Sequence, residues 1–183
     1  MKSYILAGIA LTSVTVNALA QTPQPYAGMQ NRPIKALSDQ QIADLSAGRG
    51  MGLALAAELN GYPGPAHLLE LADQLELSVD QRGQIEQLFQ AMKAEAVPIG
   101  QDLIAQEQSL DRQFSEHSVT PGSLEAATAS IGATQARLRD AHLKYHLAAV
   151  ALLQPQQLHR YAELRGYAGS VQGEGHMMMH HPN

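Results

Sequence analysis

Residues 173–183 read GEGHMMMHHPN. His176, Met177, Met178, Met179, His180 and His181 hold three of the chain's eight histidines and three of its seven methionines. Imidazole with thioether is a donor set suited to Cu(I) where no thiolate competes, and the chain has no cysteine. An affinity tag would be an uninterrupted histidine run; the plain alternative is a terminal tail without a role. A second pair, His142 and His146, lies four residues apart. On a helix, two such rings project from adjacent points of one face and can share a Cu, Zn or Ni ion. That site needs a third ligand from another element, for which His67, Glu70 and Asp73 are the candidates. The competing reading places His142 and His146 at the edge of an apolar stripe, as boundary residues whose ring bodies lie beside the core. His117 and His159 have no second ligand at a useful spacing and read as surface or interface residues.

Other chemistry is thinly represented. Without cysteine, thiol catalysis and thiolate metal sites are excluded. No Ser/His/Asp arrangement and no His-Glu-x-x-His motif occurs, and the nearest approach to a phosphate loop, Gly48–Gly52 (GRGMG), lacks the Lys-Ser/Thr that should follow it. The expectation is therefore a protein that is not an enzyme and has no organic cofactor. The net charge of −5 argues against a nucleic-acid partner, which would call for a basic footprint.

The elements that would position these groups are helical. Ala, Leu and Gln dominate, aromatics make up 4%, and tryptophan is absent, a composition that favours helices over sheets. The first residues, MKSYILAGIALTSVTVNALAQ, combine Lys2, an apolar run too short to span a bilayer, and the small-residue pattern Ala18-Leu19-Ala20. We expect a signal peptide over 1–20, cleaved after Ala20, and an exported, periplasmic mature chain. Residues 21–37 carry Pro23, Pro25 and Pro33 and read as an extended mobile arm. A helical domain is expected over 38–168, followed by a flexible His/Met-rich tail over 169–183.

Within the domain, Ser38 is a plausible N-cap, and the glycines flanking Arg49 should break or kink the helix that follows. Pro65 suits a helix start, with a short helix over about 66–76. Ser78 and Gln81 stand in capping-box spacing. Beyond them Ile85, Leu88, Phe89, Met92, Ala96, Ile99, Leu103, Leu110 and Phe114 mark one face of a long helix that Pro98 should kink. A second long helix is expected from about Leu124 to Leu153, with the heptad series Leu124, Ile131, Leu138, Tyr145 and Leu152. Its second half, LKYHLAAVALL, is apolar nearly all round and should be covered on more than one side, by this chain or a partner. A last short helix is expected over about 155–167.

The junction LLQPQQLHRYAEL resembles the Leu-Thr-Pro-x-Gln motif of the Spy/CpxP-type periplasmic proteins, and LELSVDQRGQIEQLF resembles the related helix start of that group. The two bracket about half the chain in the family's order: long helix, long antiparallel helix, short helix. One position departs from the pattern, since Gln154 stands where a capping threonine would be, and glutamine is a poor N-cap. The resemblance implies an all-α fold, a long antiparallel helical hairpin with flanking short helices, forming an antiparallel homodimer. It implies an ATP-independent chaperone of unfolded or stressed envelope proteins with metal-binding capacity. The related ZraP and CnrX imply heavy-metal binding, resistance or sensing as the alternative, and CpxP itself implies docking to a membrane sensor kinase. The CnrX-type His-x-x-x-Met pair would fall at Tyr145 and Ala149, so that particular site is not carried over.

Overall fold

The structure, a computed structural model, describes residues 24–167. The expected signal peptide over 1–20 and the His/Met set at His176–His181 lie outside the described residues. Six α-helices and no strand occur among the described residues: α1 (Asp39–Ser46), α2 (Leu55–Glu58), α3 (Pro65–Glu70), α4 (Val79–Ser115), α5 (Pro121–Val150) and α6 (Pro155–Leu164). The fold is all-α, built on the packing of α4 against α5. None of these helices is long and apolar enough to cross a membrane.

Helix starts follow the capping chemistry. Ser38 and Ser78 each accept a hydrogen bond from the N–H of Gln41 and Gln81, and each glutamine side chain accepts from the serine N–H. The second long helix starts three residues earlier than the apolar pattern predicts. Thr120 caps it, Pro121 occupies its first turn, and the Ser123 hydroxyl accepts from Thr120 N–H at 3.0 Å. Helix α4 runs through Pro98 as one 37-residue element. Pro98 and Ala94 are both exposed, so water can take the Ala94 carbonyl that the proline leaves without a donor. Helix α3 ends at Glu70, short of the expected 76, and the chain turns through Glu76 at a φ of 50°.

The core has two centres. One gathers Leu45 of α1 with Ala96, Ile99 and Leu103 of α4 and Ile131, Leu138 and Ala141 of α5. Ile34 and Leu37, at the end of the expected arm, are buried within it, so these last arm residues belong to the packed body. Gly100 allows α1 to cross closely, because a Cβ there would lie 2.4 Å from the Leu45 carbonyl oxygen. The other centre joins Leu68, Leu75, Ile85, Ala149 and Tyr161. Full burial of Leu68 and Ile85 contributes about 1.5–3 kcal/mol each. Phe114, predicted to face the core, is 52% exposed.

The two motif-like helix starts meet in space. Gln81 Nε2 donates to the Leu152 carbonyl and to Gln157 Oε1, both at 2.8 Å. Gln157 Nε2 donates to Gln81 Oε1 at 3.1 Å and to the Leu75 carbonyl at 3.3 Å. Gln154 makes no side-chain cap bond, as its type predicts, and its N–H donates instead to Gln157 Oε1 at 2.9 Å.

Candidate functional site

Helices α2 and α3 pack on α5, and between them lies a chamber of about 240 Å³. Its walls include Glu58 from the end of α2, His67 from α3, Met92 from α4, and His142 and His146 from α5. The four-residue spacing on α5 brings both histidines to this wall. They are 2% and 7% exposed, which corrects the expectation that they sit at the stripe's edge: the segment from Gly50 to His67 covers that face.

Glu58 is the buried carboxylate among the described residues, at 5% exposure. Its Oε1 accepts from the hydroxyls of Tyr161 and, at 3.3 Å, Tyr167, with Arg165 Nε at 3.5 Å and His67 Nδ1 at 3.3 Å. The His67 contact is within ion-pair reach but lacks hydrogen-bond alignment, since Nδ1 has no hydrogen-bond partner. Oε2 accepts from Gly64 N–H at 3.3 Å and lies 3.9 Å from His146 Nδ1. Burial alone would raise the Glu58 pKa, but His67, the Tyr161 hydroxyl and Gly64 N–H stabilise the charged form and hold it at about 2. The same environment raises the Tyr161 pKa, through burial first and the bond to Glu58 second.

The two α5 histidines differ. His146 Nδ1 lies 2.6 Å from the Tyr62 carbonyl. A carbonyl only accepts, so Nδ1 carries the proton and Nε2 of the neutral ring keeps its lone pair. Such a backbone brace is the usual outer partner of a metal-ligating imidazole. Gly64 makes room for this ring, because a Cβ there would meet His146 Nε2 at 2.7 Å. His142 Nε2 is buried with no hydrogen-bond partner. Burial, and then the neighbouring His146, lower the pKa of His142, so its ring is held neutral with a donor atom to offer.

Of the candidate third ligands, His67 reaches the chamber, while Glu70 and Asp73 are not among its lining residues. Among the described residues no three His, Asp or Glu side chains are already drawn together tightly enough to hold an ion. The His67 side chain is 37% exposed, with its Nδ1 buried. His159 is exposed beside Glu163 at 3.4 Å, and His117 is exposed at a φ of 54°. Glu58, Met92 and Tyr161 went unrecognised in the sequence: one glutamate in AAELN, one methionine in an apolar stripe and one tyrosine in a short helix carry no spacing signal.

No protein-family model, no curated protein and no solved structure matches this chain.

Proposed function

We propose that this protein is an exported helical metal-handling protein that takes a transition-metal ion such as Zn(II), Ni(II) or copper into the chamber. The observation that carries this reading is the convergence of the buried Glu58 carboxylate with His67, His142 and His146 on one cavity, with His142 Nε2 buried and unpartnered. An unsatisfied buried polar atom is costly and calls for an explanation. A cation supplies one, as the Lewis acid for imidazole lone pairs and a carboxylate oxygen. His142, His146 and His67 would provide nitrogen and Glu58 oxygen, with His67 turning inward on binding. The tail at His176–His181 would serve as a softer second site that favours Cu(I).

The test is calorimetric titration of Zn(II), Ni(II) and Cu(I) into the full chain and into a tail-silenced form carrying His176→Ala, His180→Ala and His181→Ala. Binding of Zn(II) or Ni(II) is expected to survive tail silencing and to vanish with His142→Ala plus His146→Ala. Binding abolished by tail silencing alone would remove the chamber from the account.

A second reading, an ATP-independent chaperone of the Spy/CpxP type, is favoured by Leu55 and Leu59 on and beside α2 and Leu147 on α5, which are 54%, 56% and 60% exposed. Leucines exposed at this spacing offer apolar contact to a stressed envelope protein or to a second copy. The pairing of Lys144 with Glu95 and of Arg137 with Asp102 supports an antiparallel α4–α5 hairpin of the kind that family uses. Docking of this body to a membrane sensor kinase belongs to the same reading. Suppression of client aggregation without ATP, reduced by Leu55→Ser plus Leu59→Ser, would uphold it; equal suppression by that variant would not.

A further inference from the structure

The two oxygens of Glu58 have unequal surroundings. Oε1 is addressed by Tyr161 and Tyr167 hydroxyls, Arg165 and His67. Oε2 has one bond, a long one from Gly64 N–H, and lies 3.9 Å from His146 Nδ1, the nitrogen whose proton is directed to the Tyr62 carbonyl. Tyr161 and its neighbours come from the C-terminal end of the body, more than a hundred residues along the chain from Glu58. Tyr161 itself is 2% exposed and anchored in the core with Leu68, Ile85 and Ala149, so its hydroxyl is held in place by packing.

Resting on the metal reading above, we propose that Tyr161 is a positioning residue for the chamber: it pins one oxygen of Glu58 so that the other is kept for a cation. A carboxylate on a short side chain would otherwise rotate about its last two bonds. The hydroxyl removes that freedom before an ion arrives and occupies Oε1, which leaves Oε2 with the one long bond from Gly64 N–H. Outer partners of this kind are worth about 10–100-fold in metal affinity. Tyr167 and Arg165 act on the same oxygen from farther away, so their effects are smaller. The arrangement is reciprocal: an ion bound through Glu58 also strengthens the attachment of the 161–167 segment.

The experiment uses the full chain with the three tail histidines silenced, and compares Tyr161→Phe, Tyr167→Phe and Gln157→Ala. Gln157→Ala is the control, since it weakens the helix junction without touching the chamber. Zn(II) affinity is read by calorimetry, and the donor set by the visible absorption of bound Co(II). Zn(II) affinity should fall about 10–100-fold in Tyr161→Phe, fall less in Tyr167→Phe and stay unchanged in Gln157→Ala, with the Co(II) band altered in Tyr161→Phe alone. Wild-type affinity and spectrum in Tyr161→Phe would overturn this role and leave the metal reading standing. An equal loss in Gln157→Ala would show that general loosening, not the hydroxyl, is responsible. A folded parent that binds neither Zn(II) nor Co(II) would overturn both.

Discussion

Two polar assemblies, one half-buried and one buried, join distant parts of this chain, and they are built on opposite plans. At the helix junction, Gln81 and Gln157 answer each other, and each also takes up a backbone carbonyl, Leu152 for one and Leu75 for the other. In the chamber, Glu58 is heavily bonded on one oxygen and sparsely on the other, while His142 Nε2 has no partner. A satisfied network needs nothing more and locks two helix starts together. An assembly left with an open imidazole and a half-used carboxylate is less stable than the chain could make it, and on the metal reading proposed above that deficit is where an ion would bind.

The largest way to test the contrast is Glu58→Ala. It leaves the Tyr161 hydroxyl and the Arg165 guanidinium facing an empty space, and should destabilise the fold by about 3 kcal/mol while abolishing ion binding. Denaturant unfolding and calorimetry together check this; full stability would mean that the carboxylate is not the hub described here. Gly100→Ala follows, because its methyl group would press on the Leu45 carbonyl. It should cost about 1–3 kcal/mol through displacement of α1, with ion affinity intact. Gln81→Ala should cost about 1–2 kcal/mol by leaving the Leu152 carbonyl and Gln157 underbonded, again without effect on the ion. A fall in ion affinity there would erase the distinction between the two assemblies.

The pH profile sharpens the same contrast. Glu58 has its folded pKa depressed from 4.5 to about 2, so its contribution is complete above about pH 4.5 and is lost as pH falls through about 2. His142 has its folded pKa lowered from 6.5. Protons therefore bind the unfolded chain more readily, and stability declines as pH falls below about 6.5. In denaturant midpoints measured against pH, Glu58→Gln should flatten the acid limb and His142→Leu the limb near neutrality. The smallest effect expected is that of His142→Leu on stability at pH 8: neutral, or a gain of up to about 1 kcal/mol, since an unpaired buried imidazole gives way to a side chain of similar bulk. A loss of several kcal/mol would show that His142 has a structural partner after all.

The legible parts of this protein are those governed by near neighbours in sequence. Ser38, Ser78 and Pro65 start helices because capping bonds and a fixed φ act within three residues, and the apolar spacing of α4 and α5 needs only the helical repeat. His142 and His146 are legible as a pair for the same reason. Sequence pattern and structure part where coverage from elsewhere decides burial. Phe114 continues the α4 stripe yet projects into solvent, and His142 and His146, which their spacing sets at the stripe's edge, are buried by the Gly50–His67 segment.

By itself, then, the sequence determined the helical class, the two glutamine-bearing helix starts, the acidic balance and the absence of thiol chemistry, because each depends on residue type and local spacing. Only the tertiary structure decided that Gln81 and Gln157 pair with each other, that Glu58 joins His67 and His146 to Tyr161, and that His142 is left without a partner. Apart from the step between Glu58 and His67, those are contacts between segments 70 to more than 100 residues apart, and a carboxylate's environment is set by what packs on it, which no periodicity in its own neighbourhood records.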